Sequence, residues 1–153
     1  MSKMKYFHSI RLKVFSTPED DEEIIKKAFL GLIPFDLAKE KVECKTQTVS
    51  GFTERKIKIF EISLSKQRHT DAFFEFLMSK LNDGQKKLLF RQKESRLDDN
   101  INFFIRLDKE KLLNSEYFIT DYGNCFHIRL SIAAFPARKD AALKIINDIF
   151  LKS

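Results

Sequence analysis

Four cationic side chains stand in strand-like parts of the sequence: Arg11 and Lys13 near its start, Arg106 in its middle and Arg129 near its end. Phe104 lies two residues before Arg106, and His127 lies two residues before Arg129. Alternate side chains of an extended chain share a face, so each pair sets a cation beside a ring. Guanidinium and ammonium groups neutralise phosphates, and flat rings offer stacking surfaces to unpaired bases. Single-stranded RNA is the polymer that this mix of groups suits. The plainer reading is a solvated sheet face whose long basic side chains shield apolar neighbours.

Catalytic chemistry finds little support. The three histidines, His8, His69 and His127, are scattered, and no His-x-x-x-His pair, Gly-rich phosphate loop or nucleophile elbow occurs. His8 falls on the apolar side of its alternating segment and is expected to be a hydrogen-bonded core histidine. Ser9 and Ser131 have no base at a telling spacing. The acidic pairs Asp20-Asp21 and Asp98-Asp99 are accounted for by a helix start and a turn. A metal-dependent nuclease would need carboxylates converging in space. No enzyme, metal or cofactor is therefore expected. Cys44 and Cys125 are the only cysteines, too few for a disulfide framework or a thiolate metal site. They read as small buried apolar residues, and a cytoplasmic location is expected.

The elements that must position these groups follow from composition and periodicity. A length of 153 residues suits one domain spanning 1–153, and 43% hydrophobic residues suffice for a core. With 4 Gly and 3 Pro, loops should be short, and with 16 Phe and no Trp the core should be built on phenylalanine. No apolar run reaches membrane-spanning length, and Met1-Ser2-Lys3-Met4-Lys5 is not expected to begin a signal peptide. The net charge of +6 makes this a basic protein and favours a polyanionic partner.

Tyr6 to Phe15 alternates as a half-buried strand, with Tyr6, His8, Ile10, Leu12 and Val14 inward and Phe7, Ser9, Arg11 and Lys13 outward. Thr17 as N-cap and Pro18 at the first helical position predict a helix that buries Ile24, Ile25, Ala28, Phe29 and Leu32. The acidic run 19–23 would then sit in its first turn, where the helix dipole favours carboxylates. Val42 to Val49 and Arg55 to Leu64 predict a hairpin around Ser50-Gly51. In its second strand the apolar phase slips from Ile57 and Ile59 to Phe60, Ile62 and Leu64, which predicts a bulge.

Helices are expected from about Thr70 to Leu81 and around Leu88-Leu89. The second carries a basic set of Lys86, Lys87, Arg91, Lys93 and Arg96 that reads mainly as solvent-facing. Strands are expected at Ile101 to Asp108, Glu116 to Thr120 and Cys125 to Phe135, with a helical turn at Lys109 to Leu113 and a closing helix at Ala137 to Leu151. This order predicts a two-layer α+β domain, a mainly antiparallel sheet with helices on one face. The other face would present Arg11, Lys13, Arg106, Arg129, His127 and one or two phenylalanine rings, with almost no acid. The rival reading is a protein-interaction or homodimerising subunit, in which the cations serve solubility alone.

The stretch Phe104-Ile105-Arg106-Leu107-Asp108-Lys109, followed by Leu113-Asn114-Ser115 and the strand from Phe126 to Pro136, resembles an archaeal family. Its members are described as RNA-binding proteins or predicted exosome subunits, with a fold similar to that of the ribosomal protein that binds 5S RNA. The opening strand, helix and hairpin fit the same pattern. The resemblance implies a non-catalytic RNA-binding module, an accessory factor in RNA processing or turnover. Arg106, Asp108 and Lys109 match the family's recurrent stretch. With Arg106 and Lys109, the residues Arg11, Lys13, Phe104, His127 and Arg129 complete the candidate RNA-binding set of seven. Ser50-Gly51-Phe52-Thr53 departs from the His-Gly-Asn-Pro type of turn common among relatives. Opposite charges at Arg106 and Asp108 also suggest an ion pair.

Overall fold

A computed structural model describes residues 4–50 and 55–152, with Lys152 described by its backbone. The elements run β1 (Phe7–Ser16), α1 (Glu22–Leu30), β2 (Lys45–Ser50), β3 (Lys56–Leu64), α2 (Gln67–Lys80), α3 (Asp83–Arg91), α4 (Lys93–Arg96), β4 (Asn102–Asp108), α5 (Lys109–Leu113), β5 (Cys125–Ile132) and α6 (Lys139–Lys152). The strands form one sheet in the order β2-β3-β1-β5-β4, and every neighbouring pair is antiparallel. This is the expected α+β architecture. The first strand lies at the centre and the hairpin on one side of it. The two late strands lie on the other side.

One face of the sheet is the core. Ile10, Leu12, Val14, Phe60, Ile62, Leu64, Phe103, Ile105, Leu107, Phe126, Ile128, Leu130 and Ile132 are all buried there. Phe29 from α1 stacks near Phe126, with ring centroids 6.4 Å apart at 16°. Phe74 from α2 packs on Phe7 at 5.1 Å. Phe7, Phe29, Phe60, Phe73, Phe103 and Phe126 are each almost fully buried, and such burial contributes about 1.5–3 kcal/mol per side chain. The core is therefore built on phenylalanine, as the composition implied.

Several local expectations are corrected. The register between β1 and β5 shifts between Phe7 and Ser9, so Phe7 turns inward with no exposure and His8 is exposed. His8 is thus no core histidine, and Phe7 does not belong to the open face. The bulge expected in β3 is absent: its pairing runs unbroken with β2 and with β1. The apolar slip in β3 instead reflects two occupied faces, Ile57 and Ile59 half-buried on the open side and Phe60, Ile62 and Leu64 in the core.

The first helix begins at Glu22, because Asp21 caps it by accepting from the Glu23 and Ile24 N–H groups. Thr17 lies in a preceding turn, where its N–H and hydroxyl donate to the Asp20 carboxylate. Ile24 faces solvent. Residues 116–120 give no strand but one bridge, Leu107 to Ile119. The hairpin residues Gly51-Phe52-Thr53 lie outside the described residues, as do Met1 to Lys3 of the opening stretch, which is not expected to begin a signal peptide.

The outer edge of β4 is closed. Thr120 N–H donates to Arg106 O at 2.9 Å and Asp108 N–H to Phe118 O at 2.8 Å, while Leu97 bridges Phe103. Between these contacts Arg96 Nη1 donates to Phe104 O at 3.2 Å. Arg96 is buried, so it leaves the solvent-facing basic set and acts as an edge plug. Covering an edge this way denies another strand a template for pairing.

Candidate nucleic-acid interface

The register across β3, β1, β5 and β4 decides which open-face side chains are neighbours. Arg11 lies opposite Ser63 on one side and Arg129 on the other, and Arg129 lies opposite Phe104. One row therefore reads Ser63, Arg11, Arg129, Phe104. In the next row Lys45 faces Glu61, Glu61 faces Lys13, Lys13 faces His127, and His127 faces Arg106. Above these lies a neutral row of Ser9, Ser131 and Asn102, where Ser131 Oγ donates to Asn102 Oδ1 at 2.7 Å. Directly opposed residues place their Cβ atoms about 4.5–5.5 Å apart. Six of the seven sequence candidates, Arg11, Lys13, Phe104, Arg106, His127 and Arg129, thus form one contiguous patch.

Lys109 is the exception. Its ammonium is buried, donating to Phe15 O at 2.7 Å and lying 3.3 Å from Asp20 Oδ2. The group ties α5 to the end of β1 and is not presented to a ligand. Asp108 caps α5 by accepting from Lys111 N–H at 3.0 Å, in place of the ion pair with Arg106. The acidic run beside Asp20 is likewise structural: Glu19 pairs with Arg55 and Glu22 with Lys58. Among the described residues no group of three or more His, Cys, Asp or Glu side chains could hold a metal ion.

Glu61 is the group that the sequence reading missed. It lies 3.8 Å from Arg11 Nε and 3.5 Å from Lys13 Nζ, so the face carries an acid at its β3 side. Reading β3 without a bulge would have found it, since Ile57, Ile59, Glu61 and Ser63 share one parity. Away from Glu61 the charge is unopposed. Among the described residues no carboxylate lies within ion-pair distance of Arg106 or Arg129, and the Arg129 Nε is buried without a hydrogen-bond partner. Like charges set directly opposite across a strand pair repel, and Arg11 against Arg129 is such a pair.

His127 feels this field. Its burial, then the nearby Arg106, Lys13 and Lys109, hold its imidazole below the ordinary range. Phe15 meets the ring edge-on at 5.8 Å, and Cys125 Sγ lies 3.6 Å from Nε2. A depressed histidine binds its proton more readily in the unfolded chain, so its contribution to stability is present above the ordinary imidazole range. That contribution is lost as pH falls through the lowered value. Urea unfolding at about pH 7 and about pH 5 should therefore show a smaller acid loss for His127→Gln than for the parent chain. Equal losses would mean that the histidine is not the group responding.

A family model described as RNA binding matches residues 9–133, a span that contains every residue of these rows. The chain is 26% identical over 141 residues to RNA-binding protein PAB1135 of Pyrococcus abyssi, which covers 92% of each chain. Among solved structures it is similar to protein AF2318 of Archaeoglobus fulgidus, with a TM-score of 0.82 at 20% identity over 94% of this chain and 99% of that one. It is also similar to Mth689, a DUF54 protein of Methanothermobacter thermautotrophicus, with a TM-score of 0.74 at 24% identity over 95% and 98%. These likenesses establish the fold.

Proposed function

This chain belongs to the RNA-binding family, and from that premise we propose that its open sheet face binds single-stranded RNA without catalysing a reaction on it. Arg11, Lys13, Arg106 and Arg129 take phosphates, His127 lies between two of them, and Phe104 stacks on a base. The observation that carries the reading is the Arg11–Arg129 pair. Of these two guanidinium groups held in register, Glu61 touches only Arg11, 3.8 Å from its Nε on the β3 side. With no carboxylate at Arg129 among the described residues, the pair forms a site that a phosphate would neutralise. The relative from Pyrococcus abyssi bears an RNA-binding name, which supports the same direction.

The protein would act in the cytoplasm as an accessory factor in RNA processing or turnover, associated with an exosome-type assembly. Likeness to the ribosomal protein that binds 5S RNA belongs to the same proposal. Among the described residues no helix is long and apolar enough to cross a membrane. A protein partner is the weaker reading of this face, because Phe15 is its one large apolar strand side chain among the exposed set.

The test is a salt titration of filter-bound single-stranded RNA. Four phosphate contacts predict that log K falls with log salt at a slope of roughly −3, about 0.7 per contact. A slope near zero, or no binding at low salt, would defeat the proposal. Incubation with magnesium or manganese should leave the RNA intact, and cleavage would make the protein a nuclease instead.

A further inference from the structure

Resting on the reading of the sheet face as an RNA platform, we infer that a cleft at the β4 edge accepts one unpaired guanine base. The cleft has a volume of about 260 Å³ and is lined by Gln92, Ser95, Arg96, Phe104, Arg106 and Asp121. Phe104 and Arg106 also belong to the cationic face, so the cleft opens where a strand tracking the arginines would run off the sheet. Its volume is slightly below the roughly 300 Å³ at which pockets for drug-sized ligands begin. That suits a single flat ring system.

The polar groups on its walls have their hydrogen-bonding capacity divided in a particular way. Gln92 Oε1 accepts from Arg96 Nε at 3.0 Å and from Nη2 at 2.6 Å, which leaves the amide NH2 to donate into the cleft. Ser95 Oγ donates to Gln92 O at 3.0 Å and keeps its lone pairs for accepting. The Asp121 side chain is 81% exposed, and its one contact to Arg96 is long, at 3.5 Å. A carboxylate only accepts, and it can take two parallel N–H bonds at once.

Guanine alone among the four bases presents two adjacent donors, N1–H and the N2 amino group, beside an acceptor, O6. Adenine and cytosine set one amino donor next to an acceptor, and uracil sets one N–H between two acceptors. Asp121 matches the two guanine donors, and the Gln92 amide or Arg106 matches O6. The ring of Phe104 supplies the stacking surface.

Fluorescence anisotropy with a short uridine tract carrying one central guanosine, inosine, adenosine or cytidine tests this directly. The guanosine tract should bind about 10-fold more tightly than the adenosine tract, the discrimination of one good bidentate pair. Inosine lacks the N2 amino group and should lose several-fold, with no change to the protein. In Asp121→Asn the guanosine-to-inosine ratio should collapse to near one, because an amide cannot accept both bonds. Equal, salt-sensitive affinity for all four tracts would overturn the guanine subsite and leave the phosphate platform standing. A guanosine preference that survives in Asp121→Asn would overturn the assignment to this cleft. No binding to any tract at low salt would overturn platform and subsite together.

Discussion

Arg129→Glu is expected to weaken single-stranded RNA binding by roughly 10- to 100-fold at low salt and to flatten the salt slope by about 1. Arg129 is the central residue of its row, with Arg11 on one side and Phe104 on the other. Reversing its charge removes one phosphate contact and gives Arg11 a second carboxylate besides Glu61, which withdraws that cation from the ligand as well. The repulsion between the two guanidinium groups disappears at the same time, so the variant should fold. Lys87→Glu makes the same change in net charge on the exposed side of α3 and should cost about twofold, the size of a long-range field effect alone. Filter binding of both variants across a salt series decides the matter. Equal losses would place the RNA elsewhere or reduce its binding to net charge.

Lys109→Met is expected to act on stability and to spare RNA binding. The ammonium donates to Phe15 O and lies against Asp20 Oδ2 inside the protein, and its side chain is 5% exposed. Methionine fills a similar volume but leaves a buried carbonyl and a carboxylate without their cation. Breaking a buried charge pair costs about 3–5 kcal/mol. Asp20 keeps some solvent here, so a loss of about 2–3 kcal/mol in urea unfolding is expected.

A pH signature should accompany this loss. Desolvation works to raise the Asp20 pKa, but the Thr17 backbone N–H and Lys109 outweigh it and hold the carboxyl below its ordinary value. The resulting stability is present above the ordinary carboxylate range and is lost as pH falls through the lowered value. The parent chain should show this acid loss, and Lys109→Met should show less of it. An unchanged unfolding midpoint, or a large loss of RNA affinity in the folded variant, would return Lys109 to the ligand surface.

Periodicity determined most of the strands and their faces in this protein. Arg11 and Lys13, Phe104 and Arg106, and His127 and Arg129 could each be assigned to the outward side of a strand because one face of each strand is apolar. The helical turn at Lys109 to Leu113 and the two-layer architecture were legible for the same reason. Where both faces carry apolar residues the signal fails, so Ile57 and Ile59 suggested a bulge and concealed Glu61. The true irregularity, at Phe7 and His8, left no mark because an aromatic ring on either side of the chain looks alike.

Only tertiary structure decided which strands are neighbours. Strand order depends on how helices and crossovers pack over a shared core, and no local spacing encodes it. That order set Arg11 beside Arg129 and His127 beside Arg106. Burial of Lys109 and Arg96 was equally invisible: Phe15 O, Asp20 and Phe104 O, which hold them against the sheet, are backbone carbonyls or a distant carboxylate. Arg96 also bonds Gln92, but their four-residue spacing does not tell a buried pair from an exposed one. A basic residue reads the same in sequence whether it awaits a phosphate or already holds the fold together.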